Sequence, residues 1–91
     1  MAEVNMTITR QTVAEKLAAY LHHQTPLTHL ADWAENAVMA GEFTPNDAPM
    51  LTRVVARLGL ADVRAFGLTW EDCEQTLRTL GYTVRVELVP A

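Results

Sequence analysis

Between Leu68 and Tyr82 the chain reads LTWEDCEQTLRTLGY, which sets its single cysteine, Cys73, among three carboxylates, Glu71, Asp72 and Glu74. A thiolate nucleophile needs a neighbouring base and an open site. Cys73 falls instead on the stripe Trp70, Cys73, Leu77 and Leu80, which repeats at helical spacing, and there cysteine behaves as a small hydrophobe. No cysteine-protease or redox motif surrounds it. The acids have an equally plain origin: carboxylates in a first helical turn meet the positive end of the helix dipole, a gain of about 0.3–1 kcal/mol each at exposed positions. Thr69 is placed to cap, Asp72 follows three residues later, and Leu68 and Cys73 occupy the two hydrophobic-staple positions. The stretch reads as a helix start, and no catalytic residue is expected in the chain.

Metal chemistry would draw on His22, His23, His29 and nearby carboxylates. His22 and His23 are adjacent, so on a helix they diverge by about 100°. His29 and Asp32 stand at i, i+3 and can touch, but two ligands do not make a site. The glycines, at 41, 59, 67 and 81, each follow a helix or helical turn and read as stops, so no phosphate-cradling loop is present. Neither a metal nor a cofactor is expected.

Nucleic-acid binding has more to support it. Residues 50–89 can be laid out as helix, turn, helix and trailing strand, the order of a winged-helix module. The helix that would enter the major groove, however, starts Trp-Glu-Asp-Cys-Glu, and its carboxylates would repel phosphates. Arg53, Arg57 and Arg64 are the only basic cluster, and a second wing strand is missing. A DNA-binding regulator is therefore the alternative reading.

These residues sit in a chain of 91 amino acids, long enough for one domain spanning 1–91, of which 49% are hydrophobic. One cysteine makes no intramolecular disulfide and suits a reducing cytoplasm. The start MAEVNMTITR lacks the apolar run of a signal peptide, and no stretch is long enough to span a bilayer. Net charge is −4, and its distribution is uneven: residues 24–52 hold Asp32, Glu35, Glu42 and Asp47 with no Lys or Arg. Such a surface repels phosphate backbones and suits a basic partner.

The pattern predicts a mostly α fold, a compact four-helix bundle with an extra helical turn and short terminal β-strands. Residues 4–8 alternate as a strand, Thr9 caps a helix over 10–23, and His22 and His23 fall in its last turn. Thr25-Pro26 opens a second helix, 26–40, with the apolar stripe Leu27, Leu30, Ala31, Ala34, Ala37 and Val38, stopped by Gly41 in a left-handed cap. Its outer face carries Asp32, Glu35 and Asn36, and Trp33 borders the buried stripe. Pro45 and Pro49 break the chain, after which Thr44 caps a single turn or Asp47 caps a helix over 47–58. A helical turn over 61–66, a helix over 70–80 and an alternating strand over 82–88 complete the chain. The terminal strands are expected to pair, within one chain as a two-stranded sheet or between two copies as a homodimer.

Two segments carry a resemblance. TPLTHLADWAENAVMAGEF is similar to the second helix of small bacterial immunity-like proteins, with Leu30 two residues before Asp32-Trp33-Ala34. LGLADVRAFGLTWEDCEQTL resembles their later Leu-x-x-x-Asp segment and the carboxylate-led helix after it, here Leu58, Asp62 and Asp72. The likeness covers about residues 9–82; the C-terminal strand and the proline break near 44–49 depart from it. The whole chain also looks like small bacterial proteins without an assigned activity. The resemblance implies a cytoplasmic, antitoxin-like helical protein that neutralises a basic toxin, often a nuclease, with Asp32 and Glu35 in the binding surface and Asp72 in helix capping.

The function expected from the sequence is a non-catalytic protein-binding module, immunity- or antitoxin-like, using an acidic helical face. Asp32, Trp33, Glu35 and Glu42 are the residues expected to meet the partner, another protein of basic character. Nucleic acid and membrane are not expected partners.

Overall fold

In a computed structural model, residues 7–64, 66–85 and 88–90 are described. The fold is mostly helical. Four helices, α1 (Arg10–Leu21), α2 (Leu27–Ala40), α3 (Ala48–Leu58) and α4 (Trp70–Thr79), accompany two short strands, β1 (Thr7–Ile8) and β2 (Glu42–Phe43). A single 3-10 turn, Pro45–Asp47, leads into α3. The contacts are uneven: α2 lies mainly on α3, while α1 touches both α2 and α4.

One cluster forms the core. Ile8 of β1, Val13, Ala14 and Leu17 of α1, Leu30, Ala34 and Ala37 of α2, Leu51, Val55 and Leu58 of α3, and Cys73 and Leu77 of α4 are its buried members, with Leu80. Alanine dominates the α2 contribution, which lets its backbone approach its neighbours closely. No charged or polar residue among those described is buried.

The helix starts follow their local chemistry. The Thr9 hydroxyl accepts from the Thr12 amide at 3.1 Å, and the Thr12 hydroxyl accepts from the Thr9 amide at 3.2 Å, a reciprocal cap. Pro26, not Thr25, takes the N-cap position of α2. Thr44 and Asp47 both stand at N-cap positions, of the 3-10 turn and of α3, yet neither side chain caps. The Asp47 carboxylate is committed to Arg10 at 2.8 Å, which ties the proline break to the start of α1.

The ends of the helices depart further from expectation. Helix α1 stops at Leu21, so His22 is its C-cap and His23 lies outside it in a left-handed conformation with φ 61°. The Gln24 amide donates to Ala19 O at 2.8 Å and the His23 amide to Tyr20 O at 3.0 Å, the two bonds of a Schellman motif. The same motif closes α4 around Gly81, φ 97°. Gly41 is not left-handed: it is extended, with φ −80° and ψ 154°. Its role is close approach, since a Cβ there would stand 2.6 Å from Ala37 O and 3.0 Å from Ile8 Cγ1. Gly59 is right-handed and helical.

That close approach explains the sheet. Strand β1 pairs in parallel with β2, Thr7 opposite Glu42 and Ile8 opposite Phe43, and the Thr44 amide donates to Ile8 O at 3.1 Å. The expected pairing of the two terminal strands is not formed among the described residues. Residues 82–85 and 88–90 adopt no strand, although their sequence alternates; β1 is only two residues long, and its parallel partner is β2. The rest of those expected strands, residues 4–6, 86 and 87, lies outside the described residues.

Candidate partner-binding surface

Helix α2 presents its small apolar side to the core and leaves the opposite side open. Asp32, Glu35, Asn36 and Met39 are exposed along it, and the spacing 32, 35, 39 places three of them in one ridge. Glu35 and Met39 form one wall of a groove of about 300 Å³ that is completed by Val38 and by Ala56, Gly59 and Leu60 at the end of α3. The absence of a side chain at Gly59 sets the floor: a Cβ there would come within 3.3 Å of Glu35 Cγ. Met39 is 80% exposed, and Val38 and Leu60 stand beside it at 42% and 41%. An acidic ridge thus runs into an apolar notch.

The four residues expected to meet a partner are not one patch. Asp32 and Glu35 share the ridge just described. Trp33 is turned about 100° from Asp32 on the helix and lies on the α1 side, partly buried against the core. The Lys16 ammonium sits 5.5 Å from the centre of its ring, a cation–π contact that engages this tryptophan within the chain. Glu42 is exposed in β2, beyond the end of α2.

Sequence reasoning missed the apolar half of the surface. Val38 was expected in the buried stripe but is exposed, at the rim of the groove between α2 and the end of α3. Met39 is the one signal that was readable, an apolar residue out of phase with the alanine stripe.

The cysteine and its carboxylates are accounted for individually. Cys73 is buried, and burial first, then the nearby Asp72 charge, pushes its thiol above the ordinary range. His23 borders a hollow of about 180 Å³ that Cys73 also lines, but no hydrogen bond joins them. Asp72 is held below the usual carboxylate range by hydrogen bonds from Thr69, backbone first, and then by the Arg57 guanidinium 3.6 Å away. Glu74 pairs with Arg78 one turn on, at 3.5 Å. Trp70 departs from expectation: it is 43% exposed rather than buried, because the first position of α4 projects past the core into the space beside α1.

Among the described residues, no three His, Cys, Asp or Glu side chains converge on a point that would hold a metal ion. None of the described helices is long and apolar enough to cross a membrane. The basic cluster is partly spent as well. Arg57 donates to Gly67 O at 3.1 Å, lies 5.8 Å from the Phe66 ring centre and reaches Asp72 of α4 at 3.6 Å, which ties Phe66 and Gly67 to α3 and α4. Compared with known proteins, the chain matches no family model, no curated protein and no solved structure.

Proposed function

We propose that this chain is a non-catalytic protein-binding module of the cytoplasm, immunity- or antitoxin-like, that captures a basic protein with the outer face of α2. The four helices act in this reading as a bundle whose task is to hold that face rigid. Asp32 and Glu35 supply charge that steers a cationic partner and sets its register. Val38, Met39 and Leu60 supply the apolar centre, where binding energy concentrates once water is excluded.

The observation that carries this reading is Met39, 80% exposed in a groove walled by Glu35 and open to solvent. An apolar side chain that exposed, beside an acidic ridge, is the composition of an interface centre with a charged rim. The rival, a DNA-reading pair formed by α3 and α4, has less behind it. Arg57 is engaged within the chain, and α4 opens with Glu71 and Asp72.

The test compares capture by three proteins: the unaltered chain, Asp32→Lys with Glu35→Lys, and Met39→Asp. All these positions are exposed, so thermal midpoints are expected to stay within a degree or two of one another. A partner held by the unaltered chain and lost by both variants supports the assignment, and one held equally by all three removes the α2 face from consideration. Retention on duplex DNA that vanishes with Arg53→Glu would favour the rival.

A further inference from the structure

The groove beside Met39 has a shape as well as a composition. Its floor is Ala56 and Gly59, two small residues one turn apart at the end of α3, and its walls are Glu35 and Met39 on one side and Leu60 on the other. At about 300 Å³ it is roughly twice the ~150 Å³ that accepts a benzene-sized group, so it has room for one or two large apolar side chains. The helices that flank it, α2 and α3, are neighbours joined by a short link, and the groove follows the seam between them.

Charge is distributed along that seam unevenly. Glu35 and Asp32 stand four and seven residues before Met39, about 6 and 10 Å along the helix axis. Among the described residues neither carboxylate is paired: the ion pairs there join Arg10 to Asp47, Arg57 to Asp72 and Arg78 to Glu74. Lys16, the one lysine of the chain, is turned to Trp33 on the α1 side. Gly59 abuts Glu35, so Arg53, six residues earlier on α3, lies toward the Met39 end of the groove. Unpaired acid therefore marks one end of an apolar furrow.

We propose that the element this groove takes from its partner is an amphipathic α-helix, with an apolar anchor and Lys or Arg four and seven residues from it. The inference rests on the assignment of α2 as the binding face and specifies what that face binds. A strand would need an open sheet edge, and the backbone donors and acceptors of α2 and α3 are committed within their helices. What the face offers is two ridges of side chains with a furrow between them, the seat of a third helix. A helix nearly aligned with α2 rises by the same 1.5 Å per residue. Its positions i, i+4 and i+7, which share one face, then meet Met39, Glu35 and Asp32 in turn. The anchor enters the notch, and the cationic heads meet the two carboxylates.

Synthetic helical peptides of about twenty residues test this by fluorescence anisotropy. The first carries two Leu one turn apart and Lys four and seven residues beyond the second Leu. A second has the same composition with both Lys moved to the opposite face, and a third has Glu in place of Lys. Each is made in both chain directions. The unaltered chain is expected to bind the first peptide, in one direction, roughly fivefold or more tighter than the second or third. Asp32→Lys with Glu35→Lys should reverse the order of the first and third, and Met39→Asp should weaken the first by a similar factor. Equal binding of the first and second peptides overturns the proposal. So does an unchanged preference in the charge-reversed chain, or no binding of the first peptide at millimolar concentration. Failure of the peptides while the α2 variants still lose a natural partner would remove the helix and leave the face standing; capture undisturbed by those variants removes the face itself.

Discussion

Thr69 and Asp72 hold each other: the Thr69 hydroxyl accepts from the Asp72 amide at 3.1 Å, while the Asp72 carboxylate accepts from the Thr69 amide at 3.0 Å. This reciprocal pair fixes where α4 begins and therefore where Trp70 and Cys73 point. Glutamate is the commoner residue at the third position of such a box, and the shorter aspartate serves here. Replacing Thr69 with alanine removes both the cap and the orientation of Asp72. The expected loss is about 1 kcal/mol, read as a lowered denaturant midpoint with an unchanged slope.

Acid should find the two depressed carboxylates. Asp47 is held below its ordinary range by its hydrogen bond from Arg10, and Asp72 by its bonds from Thr69. A carboxyl with a lower pKa folded than unfolded binds fewer protons in the native state. Its stabilisation is complete above the unfolded value, about 3.9 for Asp, and is lost as pH falls from there through the lower folded value. Stability should therefore fall with acid below about pH 4–5. Thermal melts of Asp47→Asn with Asp72→Asn should show a shallower decline over that window than the unaltered chain. An equal decline would locate the acid sensitivity elsewhere.

Cys73 supplies a probe of the core. It is 1% exposed and its thiol is shifted upward by burial, so both access and thiolate fraction oppose reaction. A thiol reagent should label the native chain at the rate of unfolding and the denatured chain at once. Cys73→Ala should fold with a modest loss, whereas Cys73→Asp would bury a charge among Val13, Leu77 and their neighbours and should prevent folding. Fast native labelling would mean that α4 opens locally.

How much of this was legible in the sequence depended on the range of the interactions involved. The four helices were readable because Thr9, Pro49, Thr69 and Gly81 punctuate them locally and the apolar stripes repeat within each. The β1–β2 pair was not, because two residues on each side pair across a separation of 35 positions and are brought together by tertiary approach at Gly41. Alternation at 82–88 suggested a strand, yet alternation specifies only a preference, and residues 82–85 and 88 take no strand. On the surface, Asp32 and Glu35 were placed correctly outward by helical period alone. The exposure of Val38 and Trp70 was not, since each lies in a terminal turn of its helix, where coverage depends on tertiary packing and not on helical period.

His23 offers the sharpest comparison between two versions of one motif. It occupies the left-handed position after α1 that Gly81 occupies after α4, with φ 61° against 97° and the same pair of hydrogen bonds. A side chain in that conformation costs about 1–2 kcal/mol relative to right-handed backbone, a penalty glycine does not carry. Glycine would also enlarge the freedom of the unfolded chain, which offsets part of the gain. His23→Gly is therefore expected to stabilise by about 0.5–1 kcal/mol, and Gly81→Ala to destabilise by about 1–2 kcal/mol. Chemical denaturation of the two variants measures both signs. A His23→Gly variant less stable than the unaltered chain would show that the imidazole, which borders the hollow shared with Leu68 and Trp70, contributes packing that exceeds the backbone penalty.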